Sequence, residues 1–364
     1  MSEMRELLVD TATRQFADLC TNAAFDVAET GSLDLRLWQA LEDTGLAAAT
    51  RSEARGGAGA DLGDALAVVR EAGSAGLPAP LAETLIAELM LASASLPPLA
   101  GPLSVGPVLG RSELELKRAN NAWQLHGTMK RIPWGRHAHA VVALAEYDGK
   151  NATVVVQHPA VSRQSANYAR EPRDTMHFDG LLIPDGDVSL SGSGMSVDQL
   201  QVTGALFRSV AMAGALFRTL QTTVEYAMQR QQFGRPIGKF QAIQQQVAIL
   251  ASQVAAANAA ADAAVEAATH DLAAATFEIA AAKTRVGEAA GIAAAIAHQV
   301  HGAMGFSYEY SLQRSTRRLW SWRDEFGSEA EWAAWIGKTV ARVGGRGLWA
   351  FVTSPVKNGS SAKT

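Results

Sequence analysis

This sequence predicts a mostly α-helical α+β protein in which one block of strands is set between two blocks of helices. The prediction rests on apolar residues at helical spacing in both outer stretches, on short β-type runs in the middle, and on the prolines and glycines that separate them. The chain has 364 residues, too many for one small core, and its 48% hydrophobic and 19% charged residues suit a globular protein. A formal net charge of −4 argues against a nucleic-acid binder. Cys20 is the only cysteine, so neither an intrachain disulfide nor a cysteine metal cluster can form. Glu3, Arg5 and Glu6 stand where a signal peptide needs an apolar core, and no uncharged apolar run reaches membrane-spanning length. A soluble protein of a reducing, cytoplasmic compartment is expected, with no metal.

Residues 1 to about 96 read as helices joined by short turns, with Leu33, Leu37, Trp38 and Leu41 on one helical face. The glycine-rich loop from Arg51 to Gly59 lacks the Gly-Lys-Ser/Thr ending of a phosphate-binding loop and follows no clear strand, so it reads as a plain connector. From Leu96 the pairs Pro97-Pro98, Gly101-Pro102 and Gly106-Pro107 break the helical pattern and mark a domain boundary. Strands are expected over 123–127, 140–144, 152–156 and 177–184. A glycine and serine linker, Ser191 to Ser196, leads to long helices over 210–230 and 241–270. Residues 251–300 are alanine-rich, which favours helix and lets helix axes approach closely, as in a tight antiparallel bundle. Asp262, Glu266, Asp271, Glu278, Lys283, Arg285 and Glu288 interrupt that stretch too often for a membrane span. The expected domains are 1–98 helical, 99–192 β and 193–345 helical, followed by a flexible tail over 346–364.

Between the two long helices lies Arg230-Gln231-Gln232-Phe233-Gly234-Arg235-Pro236-Ile237-Gly238-Lys239-Phe240-Gln241. It reads as a helix stop, a tight turn and a restart, with no preferred N-cap residue before Gln241. By residue type alone it is a helical hairpin corner, and Arg230 a helix-end cation favoured by the dipole. The order of its residues resembles the signature turn of acyl-CoA dehydrogenases, and the resemblance extends from about Leu33 to Gly337. It implies a helical N-terminal domain, a central β-barrel-like domain and a C-terminal four-helix bundle, with FAD bound across a subunit interface. It also implies that Arg230 and Gln232 face the FAD pyrophosphate while Phe233 packs on the adenine or flavin side. Arginine suits that role, because its planar fork pairs with phosphate oxygens and stays charged.

A second element, Gln299-Val300-His301-Gly302-Ala303-Met304-Gly305-Phe306, ends the next long helix. It resembles the family's Gln-x-x-Gly-Gly-x-Gly-Tyr/Phe, with Ala303 in place of the second glycine. The resemblance implies that Gln299, Gly302 and Ala303 meet the diphosphate or adenine of a neighbouring subunit's FAD. Without it, Gly302 and Gly305 read as a helix C-cap and turn, and His301 as a turn residue and not a base. In the β block, Gly127-Thr128-Met129-Lys130-Arg131-Ile132-Pro133-Trp134-Gly135 stands where the family carries Gly-x-Lys-x-x-Ile-x-x-Gly. Arg131 and Pro133 take the positions that usually meet the flavin, which leaves that contact to backbone and to Trp134.

The family's chemistry needs a carboxylate to remove the proton beside the thioester carbonyl while flavin N5 takes hydride. Counting without gaps from Gln299, that position is Phe326, and the following Gly327-Ser328 fits the family's Gly-Thr. Glu325 and Asp324 stand one and two residues away. Either could serve as base after a loop shift, or be surface charge balancing Arg317, Arg318 and Arg323. The family's other placement falls near Gly204-Ala205, where neither residue can act, and Leu206-Phe207-Arg208 offers no carboxylate.

The resemblance therefore implies an FAD-dependent acyl-CoA dehydrogenase that introduces an α,β double bond into an acyl-CoA thioester. Glu325 or Asp324 would be its base, and electrons would pass to an electron-transfer flavoprotein. The alternative is a catalytically silent subunit of a mixed acyl-CoA dehydrogenase complex, as in steroid side-chain breakdown. A flavin-dependent monooxygenase of the same fold is disfavoured by the Phe-Gly-x-Pro-Ile and Gly-x-Met-Gly patterns. A cofactor-free helical scaffold would make both elements coincidence. The implied assembly is a homo- or hetero-oligomer, a dimer of dimers.

Overall fold

A computed structural model of the chain describes residues 3–192 and 194–353, which cluster into two compact units. The first unit comprises residues up to 68 together with Leu77–Gly204, and the second comprises Val69–Gly76 and the chain from Ala205 onward.

The first unit opens with helices α1 (Glu3–Leu19), α2 (Asn22–Glu29) and α3 (Leu35–Asp43). Asp34 caps α3 by accepting from the Arg36 amide, and its apolar face buries Leu37, Trp38 and Leu41 as the spacing predicts. The glycine-rich stretch forms short turns leading to α4 (Leu62–Ala75), whose residues up to Val68 belong to this unit and the rest to the second, and α5 (Leu81–Ser93) is buried on nearly every side. A run of strands follows: β1 (Leu103–Gly106), β2 (Leu114–Ala119), β3 (Ala122–Pro133), β4 (Ala140–Tyr147), β5 (Lys150–Gln157), β6 (Arg173–Ile183) and β7 (Val188–Ser189). α5 is tied to this sheet where the Leu103 amide donates to Thr84 Oγ1 at 3.0 Å.

The sheet runs β6-β3-β2-β4-β5-β7, with β1 added parallel to β4. The sheet is mixed, with β1 and β2 parallel to β4 and the other pairs antiparallel, in keeping with the expected central β domain. β4, flanked on both sides, is buried from Ala140 to Ala145, which explains its uninterrupted apolar run. Strands β1, β2 and β7 were not expected from sequence. β2 does carry a period of two, with Leu114 and Leu116 buried and Glu115 and Lys117 exposed, but it is short and charged. Gly127 is required where β3 meets β2, because a Cβ there would lie 2.0 Å from the Glu113 carbonyl oxygen.

The second unit holds most of α6 (Val197–Gln229), the small hairpin β8 (Gln231–Gln232) and β9 (Arg235–Pro236), and α7 (Gln241–Asp271). It continues with α8 (Thr276–His301), α9 (Leu312–Trp322), α10 (Glu329–Val343) and α11 (Leu348–Thr353). α7 buries Leu250, Val254, Ala257, Ala261, Ala264 and Ala268, alternate steps of four and three that form a narrow seam along α8. The rest of α7 is largely open. Helices α6 and α7 are long and apolar enough to cross a membrane by length and composition, although most of that stretch of α6 is buried in the protein. The tail expected from residue 346 instead begins with α11, whose Phe351 packs edge-on against Phe277 at 4.8 Å. The remainder of that expected tail, residues 354–364, lies outside the described residues, as does Ser193 of the expected linker.

Candidate functional site

The turn after α6 is more structured than a simple corner. Gln232 pairs with Arg235, leaving Phe233 (φ 53°) and Gly234 (φ 77°) as the two-residue loop of a hairpin. Both central residues are left-handed, the requirement of a type I′ turn, which Gly234 meets without strain and Phe233 does not. The Ile237 amide donates to the Arg230 carbonyl at 2.8 Å and closes the hairpin's base. Phe240 receives the Arg235 guanidinium over its ring at 4.3 Å and the edge of Phe233 at 6.1 Å. Phe240 also precedes α7 as an N-cap without a side-chain bond. Phe233 is 91% exposed, and Arg230 and Gln232 are exposed beside it.

A second turn lies beside this one. α8 ends at His301, and Gly302 follows in the left-handed region (φ 58°) with open space where a Cβ would stand. Gln299, Gly302 and Ala303 are all exposed, so the methyl of Ala303 costs no buried room. Gly305 is enclosed, since a Cβ there would meet His298 Nδ1 and His301 Cβ at 3.0 Å. His301 joins the two turns: its ring stacks on Tyr226 of α6 at 4.3 Å, and the Tyr226 hydroxyl donates to the His301 carbonyl at 3.3 Å. Tyr226 sits one helical turn before Arg230, so the stack brings the Arg230 and Gly302 elements together. His301 is thus a buried packing residue, with Nδ1 held 2.7 Å from the Ala297 carbonyl. Burial pushes both His298 and His301 below the usual imidazole value, which keeps them neutral at physiological pH.

The turn between α9 and α10 carries the expected base position. Phe326 is fully buried and left-handed (φ 53°), and its carbonyl accepts from Trp332 Nε1 at 2.9 Å. Gly327 follows at φ 90°, where a Cβ would lie 2.5 Å from that same indole nitrogen. Ser328 then caps α10 in a reciprocal capping box with Glu331. Asp324 is exposed. Glu325 is not surface charge: it is 3% exposed and accepts from Arg208 Nε of α6 at 2.7 Å, with Arg208 equally buried. The Arg208 guanidinium also stands 5.6 Å from the Trp322 ring and 5.9 Å from that of Phe326. Arg323, expected to balance these acids, pairs instead with Glu329.

Two residues that no local pattern marks, Arg208 and Lys283, also hold this turn. Lys283 of α8 is fully buried, and its Nζ donates to the carbonyls of Arg323 and Gly327, each at 2.6 Å. Desolvation lowers its pKa from 10.5 to about 7, opposed by Glu325 and Asp324. Trp134 belongs to the first unit and is only 2% exposed, in the left-handed region (φ 52°), with its amide bonded to the Pro172 carbonyl at 2.9 Å. Arg131, in contrast, is exposed at a bulge in the β3–β6 pairing.

Two known family profiles match the chain. The acyl-CoA dehydrogenase N-terminal domain matches residues 2–95, and the acyl-CoA dehydrogenase C-terminal domain matches residues 192–329. Acyl-CoA dehydrogenase IpdE2 of Mycolicibacterium smegmatis is 31% identical over 330 residues, covering 87% of this chain and 93% of that protein. IpdE2 of Mycobacterium tuberculosis is 32% identical over 325 residues, covering 87% of this chain and 91% of its own. Among solved structures, the ChsE4-ChsE5 complex from Mycobacterium tuberculosis superposes with a TM-score of 0.84 at 22% identity, covering 94% of this chain and 98% of the matched one. Butyryl-CoA dehydrogenase from Megasphaera elsdenii gives 0.81 at 17% identity, covering 94% and 99%. With both domain profiles matched and relatives aligned over most of its length, the chain belongs to the acyl-CoA dehydrogenase family.

Proposed function

We propose that this chain is the base-lacking member of a mixed acyl-CoA dehydrogenase complex, contributing FAD-binding surface to a partner that carries the carboxylate. The observation that supports this reading is the 2.7 Å ion pair between Glu325 and Arg208, both buried. A carboxylate held that way is committed to its guanidinium, and releasing it for proton abstraction would break a charge-assisted bond between two buried groups. The position where the family carries its base is meanwhile filled by Phe326. The similarity to the two-chain ChsE4-ChsE5 structure is in keeping with a mixed assembly. So is the open, alanine-rich face of α7.

The exposed groups fit a flavin dinucleotide. Arg230 and Gln232 offer donors for phosphate oxygens, and Gly302 leaves room for a close approach to backbone amides. Gln299 and Ala303 line the same turn, and the solvent-facing ring of Phe233 offers an apolar surface for a planar ring. FAD, when bound, supplies the hydride acceptor. This chain's part is to bind and orient it, with electrons passing on to an electron-transfer flavoprotein. Arg230→Ala is expected to lower retained flavin several-fold after gel filtration of the complex, while the melting temperature hardly moves. Unchanged flavin content would remove Arg230 from the site.

A second reading keeps catalysis in this chain, with Asp324 as the base. It is favoured by Asp324 being the solvent-facing acid of the turn. The visible spectrum of the chain, purified alone and after co-expression with a homologous subunit, separates the two. A colourless or inert chain that gains flavin and acyl-CoA-dependent bleaching only with its partner supports the mixed complex. A yellow homo-oligomer bleached by acyl-CoA overturns it.

A further inference from the structure

We infer that Lys283 is the positioning residue of the turn between α9 and α10, acting as an uncharged double donor that grips residues 323–327 at both ends. Its amine reaches the carbonyl of Arg323, where α9 ends, and the carbonyl of Gly327, just before α10 begins, each at 2.6 Å. Between those anchors stand Glu325, turned to Arg208, and Phe326, held in a left-handed conformation. Trp332 claims the intervening Phe326 carbonyl. Three carbonyls of this short turn are therefore tied to α8 and α10 by side chains, and the backbone has little freedom to shift by a residue. The inference rests on the preceding reading only for the meaning given to Phe326 at the family's base position.

The hydrogen-bond inventory favours the amine over the ammonium. A neutral lysine has two N–H groups, and two carbonyls receive them; an ammonium would bring a third, in a setting where the side chain has no exposed surface. Charge balance points the same way. The groups facing Lys283 are Glu325 and Asp324 of the turn, Arg208 of α6 and Glu331 of α10. Of the two acids on the turn, Asp324 is exposed and Glu325 is already paired with Arg208, while Glu331 is engaged in the Ser328 capping box. Arginine keeps its proton, so the lysine is the cation that can give way.

The sign of the resulting pH dependence follows. The folded-state value is near 7 and the ordinary value 10.5, so between them the unfolded chain binds a proton that the folded chain does not. Folding therefore grows more favourable as pH rises through this window, and is flat in this respect below about 7. Relative to Lys283→Met, the wild-type folding constant is expected to rise by up to about tenfold per pH unit from about pH 7 to 10. In the same variant, amides of residues 323–328 should exchange with deuterium at least about tenfold faster than in the wild type, with the α7–α8 seam unaffected.

Parallel stability curves, or unchanged exchange in the turn, would overturn the assignment. Should Lys283→Met fail to fold, the wild-type chain labelled with [ε-13C]lysine carries the test. One lysine resonance titrating near 7 supports the uncharged donor, and all lysines titrating above about 9.5 overturn it. These measurements involve neither flavin nor substrate, so their failure is separate from failure of the proposed function.

Discussion

Glu325→Gln is expected to destabilise the fold by about 3–5 kcal/mol, the usual cost of breaking a buried ion pair by removing one partner. The substitution keeps the side-chain shape and removes only the charge. What remains is the Arg208 guanidinium, 3% exposed, facing an amide at the distance where it faced a carboxylate. The rings of Trp322 and Phe326, about 6 Å from its carbon, give weaker contacts than the charge-assisted bond that is lost. Lys283 cannot compensate, because it is a base as well. A solvent-facing general base behaves in the opposite way: its amide variant folds normally and loses turnover. Chemical denaturation of the two proteins side by side at one pH distinguishes the cases. A stability loss under about 1 kcal/mol, together with loss of flavin bleaching by acyl-CoA, would return Glu325 to the role of base.

The second large effect is expected where α4 crosses α6. A Cβ at Gly214 would lie 2.0 Å from the Arg70 carbonyl oxygen, and a Cβ at Gly73 would lie 2.0 Å from that of Ala211. The two glycines thus let two helix backbones touch reciprocally. Obstruction by a carbonyl is costly because backbone cannot rotate away as a side chain does, so accommodation requires the helices to separate. Gly214→Ala is expected to cost at least about 3 kcal/mol, at the upper end for overpacking, and Gly214→Val to prevent folding. Alanine normally stabilises a helix interior relative to glycine by about 1 kcal/mol, so the predicted sign is opposite to that of propensity. A rise in thermal midpoint for Gly214→Ala would refute the close crossing.

The legible features of the sequence share one physical property, that their cause is local. The change from helix to strand near Leu96 is written in Pro97-Pro98 and the following Gly-Pro pairs, which disrupt helix wherever they occur. The apolar face of α3 and the run of β4 follow from periodicity and β-branching within the segment. The signature turn is legible because Gly234 tolerates a left-handed backbone and Pro236 restricts its own φ and the residue before it, although the hairpin it forms, with Phe233 left-handed, exceeds what residue types imply. Strand β1 lay beyond local reading: it has four residues, among Gly-Pro pairs, and exists because β4 lies alongside it.

The order of helical and β blocks, the family and the phenylalanine at position 326 can all be read from the residues alone. The meaning of the neighbouring charges is set by folding. Arg208 and Glu325 are separated by 117 positions, and no local pattern pairs them. Lys283 looks in sequence like an ordinary solubilising charge among alanines, yet it lies fully buried and binds the ends of a turn about forty residues on. Gly73 and Gly214 likewise read as weak points of two helices until those helices are seen to cross there. The physical reason is the same in each case: the energy of a buried charge or a close backbone contact depends on which groups folding brings within a few ångströms, and spacing along the chain does not record it.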